Sequence, residues 1–500
     1  MPRPCPEPLL LAVATAALLL LFSGASLPWA LPIGIVVWGV SRIYQRASNV
    51  LRPALLILLA LYPLYVAIVQ LSYWRAGTQG LDFGIFSQVI YQVAHNNKFI
   101  SSLISTEWQN FITHHFSPFL LILGGVAKLG FRSEYVLIGA HVAAVGALAW
   151  GLWRVFNAMG STNQALILTA TTLLLPAVRQ ALGWETHDEV LALPFIILSL
   201  WAHLTGRDTL KLLALFPPLL FKETLGIVMC TTALAYALDG SRSVEQVSGR
   251  RASIMVAVFG ALFFLTVTQV FPKWLWWQTF DPSSRIASFP RLFDPELLVS
   301  KAAWLACTAL PCGPFLLLHS KKPVRAALVL LSPALYNIGA IMVSDFPAMV
   351  NPYNYYSVTP AIILLLASSY PVVGVPQFSW ASMAALCLVV SIGHPVRTRG
   401  LVKAGFSAPS AYEELRVIVP QRSNIITDDY TASVLADNSY VLRIFHARRT
   451  RPSFDFIIIS KAFPEQLSES LKERSHVCHE TPRYTVRCAG KAALRESPQP

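Results

Sequence analysis

The sequence predicts a polytopic α-helical membrane protein of about 13 spans, followed by a small C-terminal α/β domain outside the membrane. Three observations carry this. Hydrophobic residues make up 54% of the 500 and charged residues only 13%, at a mean hydropathy of +0.53; soluble chains average about 25% charged. Apolar runs near the ~20 residues needed to cross a bilayer recur up to about residue 395. The charges crowd at the far end, where residues 401–500, a fifth of the chain, hold 25 of the Lys, Arg, Asp and Glu side chains.

The formal net charge of +13 does not point to nucleic acid. The basic residues up to Arg325 fall mostly in short loops between apolar runs, the pattern of the positive-inside rule. The seven cysteines show no metal-ligand spacing. Cys478 and Cys488 either close a hairpin in an oxidising compartment or remain two thiols. No small-residue cleavage site follows the first apolar run, which predicts a retained span rather than a cleaved signal.

Three regions follow in order. Residues 1–52 read as a membrane hairpin of two short runs, 9–22 and 28–41, broken at Gly24-Ala25-Ser26-Leu27-Pro28. Residues 53–395 read as the main transmembrane domain. Its clear runs are 53–72, 134–155, 163–181, 190–206, 252–271, 301–319, 323–343, 355–374 and 379–395, and 209–221 with 224–238 form a second tight hairpin. Orientation comes from Arg42, Arg46 and Arg52, then Arg207 and Lys211, then Arg242, Arg250 and Arg251, then Lys321, Lys322 and Arg325. If all four loops are cytoplasmic, an even number of crossings separates each pair. Segment 118–130 is then a half-inserted or interfacial helix, because a crossing there would flip every later loop. Residues 400–500 read as the outer domain: strands at 416–419, 423–427 and 454–459, an amphipathic helix at 463–473 and a hairpin at 477–488.

This parity gathers carboxylates and histidines on the outer face. The first outer loop, 73–133, holds Asp82 in Gly80-Leu81-Asp82-Phe83-Gly84 and the pair His114-His115. A carboxylate at the mouth of a multi-span bundle is costly unless it is used; Asp82 could also cap a helix over 83–91. His114 and His115 suit phosphate or metal, or an interfacial anchor. Glu185 and His187 stand in Trp184-Glu185-Thr186-His187-Asp188-Glu189, either a site or a solvated acidic helix start. Lys222 and Glu223 sit between two apolar half-runs, where two charges need each other or a polar cavity. Tyr353 and Tyr355 could line a sugar pocket or form part of an interfacial aromatic belt.

The order Asp82-Phe83-Gly84-Ile85-Phe86, His115-Phe116-Ser117-Pro118, Thr186-His187-Asp188-Glu189 with Leu193-Pro194, then Lys222-Glu223-Thr224 carries a resemblance. It resembles a family of predicted prokaryotic membrane proteins of unknown function, itself similar to the GT-C glycosyltransferases, among them protein O-mannosyltransferases and the aminoarabinose transferase. The resemblance covers roughly residues 55–375. It implies a GT-C-like fold in the inner membrane and a polyprenyl-phosphate sugar donor. It also implies an acceptor attacked with Asp82 as general base, with His114, His115, Glu185, His187, Lys222, Glu223, Tyr353 and Tyr355 binding substrate. A divalent metal is compatible with that chemistry, but the loop has one Asp and no Asp-x-Asp or Glu-x-Asp pair, so no metal ligands are assigned. The alternatives are a transporter or lipid flippase, which predicts repeated halves and mid-membrane charges, and a non-catalytic envelope assembly protein, which leaves the polar constellation unexplained. The sugar and the acceptor are not legible.

Overall fold

The structure, a computed structural model, describes residues 48–105, 108–160, 162–239, 247–271, 294–309, 329–344, 356, 358–369, 410–420, 423–435, 440–447, 453–461 and 467–490. The expected spans 9–22, 28–41 and 379–395 lie outside these residues, as do Tyr353 and Tyr355.

Helix α1 (Ser48–Ala76) carries a 22-residue stretch, Leu55–Ala76, apolar enough to cross a membrane. Pro63 lies inside it; neighbouring helices make such a proline tolerable in a membrane. The first outer loop contains α2 (Leu81–Asn96), a two-stranded ladder of β1 (Ile100–Ser101) and β2 (Gln109–Asn110), and α3 (Phe119–Ala127). Nine residues are too few to cross, and α3 leaves Leu121, Ile122 and Val126 exposed. Helix α4 (Ser133–Met159) is the second helix of spanning length. Next come α5 (Thr162–Leu174), α6 (Pro176–Gly183), α7 (Asp188–Leu204), α8 (Asp208–Leu213), α9 (Leu225–Leu238) and α10 (Val247–Leu265). The third stretch of spanning length, Gly249–Val270, lies in α10 and the π-turn that follows it. Helices α11 (Pro295–Ala309), α12 (Leu335–Val343) and α13 (Val358–Ser369) follow among the described residues.

Two expected spans are divided. Run 163–181 breaks at Leu175, where Pro176 starts a new helix. Run 209–221 is the six-residue α8 plus a 3-10 turn, Pro217–Leu220; two adjacent prolines remove the N–H groups that would continue an α-helix. Lipid-type packing is plain between α9 and α10. A Cβ on Gly226 would stand 2.8 Å from the carbonyl of Gly260, so the two backbones touch through paired glycines. The outer faces of α1 (Ile57, Leu61, Leu64) and α10 (Met255, Val258, Leu262) are apolar and exposed, as lipid-facing surfaces are. Between the helices, Val66, Leu148, Leu152, Leu193, Ile197, Leu200, Met229 and Ile362 form one buried apolar cluster.

The C-terminal part is a five-stranded sheet. Its strands are β3 (Asn424–Thr427), β4 (Tyr440–Arg443), β5 (Phe456–Ser460), β6 (Ser475–Glu480) and β7 (Tyr484–Ala489), in the order β4-β3-β5-β7-β6. β3 is parallel to β4 and β5, and the β6–β7 hairpin adds antiparallel. Cys478 and Cys488 are joined as a disulfide across that hairpin. The strand expected at 416–419 is not one. Helix α14 (Ala411–Arg416) ends there, started by Ser410, whose hydroxyl accepts the Glu413 N–H while the Glu413 carboxylate accepts the Ser410 N–H. In the expected helix 463–473, the described part is α15 (Glu469–Glu473). Strand β4 was not anticipated.

The sheet is not separate from the loop. Phe83, Val89, Phe111 and Leu120 share one buried cluster with Ile425, Val434, Val441, Ile458 and Val486. The Ser102 hydroxyl donates to the Val441 carbonyl at 2.8 Å and accepts the Val441 N–H at 3.2 Å.

Candidate functional site

The site begins where α1 ends. Gly77 takes φ +69°, which turns the chain out of α1 and lets α2 begin four residues later. Gly80 is the N-cap, with extended backbone and no capping side chain of its own. Asp82 is therefore inside the first turn, not the cap that the sequence allowed. The capping oxygen comes from a hundred residues away: Glu185 Oε2 accepts the Phe83 N–H at 3.3 Å. A Cβ on residue 80 would collide with that carboxylate, which explains the glycine.

Glu185 and His187 reach the site from the link between α6 and α7. His187 has extended dihedrals, φ −128° and ψ 148°. In an extended segment alternate side chains share one side, so Glu-x-His presents both groups together. The Gln70 amide donates to the Trp184 carbonyl, and the Trp184 ring packs edge-on against Tyr73, which fixes this link against the end of α1. His187 Nδ1 lies 3.4 Å from Asp82 Oδ2, and Nε2 lies 3.4 Å from Glu185 Oε1. The histidine is buried at 2% exposure, whereas the Asp82 side chain is 39% exposed.

One ligand atom from each of Asp82, Glu185 and His187 falls within 4.8 Å of the other two. Two hard oxygens and an imidazole nitrogen suit a divalent cation such as Mn²⁺ or Zn²⁺. The sequence-based assignment of no metal ligands rested on the lack of an acidic pair within one loop. The structure supplies the same donor count from two loops.

A second polar set adjoins this one at the head of α7. Lys222 Nζ meets Glu189 Oε1 at 2.6 Å. His115 Nδ1 lies 3.2 Å from Glu223 Oε1, and the Phe116 N–H donates to Glu223 Oε2 at 3.0 Å. The Ser117 hydroxyl donates to Asp188 at 3.1 Å. His114 packs edge-on to His115, with ring centroids 4.6 Å apart. Burial pushes the Glu223 carboxyl up, but His115 beside it and its hydrogen bonds overcome this and hold it down at about 2. Lys222 also lies 5.9 Å from the Tyr356 ring, the neighbour of the predicted Tyr355. Asp188, Glu189 and Ser117 were not singled out for a role. Their signal was position, two at the first turn of a helix whose preceding residue is His187.

Electrostatically the region is acidic. Asp82, Glu185, Asp188, Glu189 and Glu223 stand against Lys222 and three histidines, His114, His115 and His187, and Lys222 is already paired. The Asp82–Glu185–His187 set could hold a cation, which would offset part of this negative charge.

The profile of a family described as "Predicted membrane protein (DUF2079)" matches residues 72–488. No curated protein sequence matches the chain. Among solved structures, ArnT from Cupriavidus metallidurans in the apo state is similar at a TM-score of 0.54 and 12% identity, over 90% of this chain and 100% of that one. The Archaeoglobus fulgidus oligosaccharyltransferase, in complex with Zn and sulfate, gives a TM-score of 0.36 at 12% identity, over 80% of this chain and 68% of that one.

Proposed function

The chain belongs to the DUF2079 family of predicted membrane proteins, and from that premise we propose that it is an inverting membrane glycosyltransferase. It takes a sugar from a polyprenyl-phosphate donor at the outer face of the inner membrane and passes it to a hydroxyl of an acceptor. The observation that carries this is the convergence of Asp82, Glu185 and His187 at one end of a helical fold shared with ArnT.

The chemistry fits the positions. The acceptor hydroxyl attacks the anomeric carbon, its proton passes to Asp82, and the carbon–oxygen bond to phosphate breaks with both electrons leaving on the phosphate. Asp82 is the exposed member of its cluster and faces His187 with Oδ2, which leaves its second oxygen for the proton. A positioned base is worth roughly 10²–10⁴-fold. A divalent cation held by Asp82, Glu185 and His187 would supply positive charge against the departing phosphate. Lys222, released from Glu189 by a competing phosphate, adds to it, with His115 and His114 alongside. The apolar helix faces hold the polyprenyl chain. Thirteen spans and an outer C-terminal domain are part of the same reading.

The test is sugar transfer from a polyprenyl-phosphate donor by the purified full chain. Asp82→Asn is expected to lower turnover by ~10²-fold or more with an unchanged melting temperature, because Glu185 and not Asp82 caps α2. Chelation followed by Mn²⁺ is expected to remove and restore activity. Full turnover in a stable Asp82→Asn protein would overturn the assignment.

A further inference from the structure

The far end of the bundle carries a second ionic arrangement, of opposite sign. Trp150 and Arg154 lie on α4, Trp201 on α7 and Arg207 just beyond it. The Arg154 guanidinium is 4.8 Å from the Trp201 ring centre and 5.5 Å from that of Trp150, and the Arg207 guanidinium is 4.6 Å from the same Trp201 ring. Two guanidinium groups on one indole cannot be further apart than those two distances together. That is within reach of one phosphodiester and its ester oxygens. Each guanidinium gains from the indole face it lies over, but the two cations repel each other.

The neighbouring basic groups are neutralised. Lys211 pairs with Asp208, and His203 Nε2 lies 3.2 Å from Asp239 Oδ2. Among the described residues no carboxylate forms an ion pair with Arg154 or Arg207. Among the described residues, then, no counter-charge is supplied to these two guanidinium groups, and an external anion can supply it.

Position says from where. α4 and α7 both start beside the candidate site and run away from it. At 1.5 Å per residue, Arg154 and Arg207 stand roughly 30 Å along these helices, the thickness of a bilayer's hydrocarbon core. Trp150, 52% exposed, sits where an interfacial indole belongs. That level is the opposite head-group layer, where phosphates are dense.

We infer that Arg154 and Arg207, bridged by Trp201, bind the head-group phosphate of an anionic phospholipid in the leaflet opposite the candidate site. Both guanidinium groups donate to the phosphodiester, and an acyl chain lies against Trp150. A zwitterionic lipid offers the same phosphate but brings a cation towards two others, so the site selects net negative charge. This inference is independent of the proposed transferase chemistry.

Native mass spectrometry of the full chain, purified from mixed phosphatidylglycerol and phosphatidylcholine bilayers, reads it out. The wild-type protein is expected to retain phosphatidylglycerol selectively. Arg154→Gln with Arg207→Gln is expected to lower retention roughly 30-fold, the fold-change that about 1 kcal/mol for each of two basic residues at a membrane surface converts to. Arg250→Gln with Arg251→Gln, a basic pair on α10, is expected to leave it unchanged. Equal retention of the two lipids by wild type overturns the inference without any variant. So does an Arg250/Arg251 variant that loses as much as the Arg154/Arg207 one, or displacement of the lipid by millimolar inorganic phosphate.

Discussion

Glu185 has two roles at once, and they can be separated. It accepts the Phe83 N–H at the start of α2 and faces His187 Nε2. Glu185→Gln keeps a carbonyl for the cap and removes the charge. The expected result is a normal melting temperature with Mn²⁺-dependent transfer lost. Gly80→Ala has the opposite character. Its φ of −75° suits alanine, but the new Cβ collides with the Glu185 carboxylate, so both cap and ligand shift. A drop in stability of about 1 kcal/mol, the scale of one hydrogen bond, together with reduced turnover is expected from thermal melts and transfer assays. Wild-type values for both would show that Glu185 does not occupy that space. Glu223 supplies the pH-dependent term. Its folded pKa of about 2 lies below the ordinary 4.5, so its contribution is complete above about pH 4.5 and lost as pH falls towards 2. In Glu223→Gln the stability loss across that window is expected to shrink, measured by thermal melts at pH 3 and pH 6.

At the scale of elements, the turn after β3 joins the sheet to the site. Asp428 Oδ1 accepts the N–H groups of Tyr430 and Thr431, and Oδ2 accepts the Thr431 hydroxyl and the Ser460 N–H. The turn that Asp428 holds lies against α2, where Gly84 leaves room for the backbone of Ser433. Asp428→Asn replaces one acceptor oxygen with a donor facing Ser460 N–H. The expected cost is about 1–3 kcal/mol, the penalty of an unsatisfied buried group, seen as a lower melting temperature. An unchanged melting temperature would mean that the four bonds are not made. The element missed here, the helix at Ala411–Arg416, had its signal in the chain. Ser410-Ala411-Tyr412-Glu413 is a capping box, and the β-branched residues just after it favour a strand by local propensity. Strand β4 is only four residues, and what fixes it is pairing with β3.

For the whole molecule, the orientation is open to direct test. In a cysteine-free background, single cysteines at the exposed positions Lys98, Arg250 and Glu469 can be exposed to an impermeant thiol reagent in intact cells. Lys98 and Glu469 are expected to react and Arg250 to stay protected; labelling of Arg250 without Glu469 would invert the scheme. What the sequence determined by itself was the class of molecule, because the transfer of each apolar segment into lipid depends on local composition alone. It also supplied the residue types of the site, since a carboxylate or histidine beside a span is conspicuous against apolar neighbours. It did not determine that Asp82, Glu185 and His187 meet, that Glu185 caps a helix it does not belong to, or that run 209–221 is divided. Parity of crossings can return distant loops to the same face, but only the meeting of the α2 start with the α6–α7 link brings their side chains to 3.4 Å. Likewise, composition marks a change near residue 400, yet the apolar core continues across it, because burial depends on which surfaces meet in space and not on where they lie along the chain.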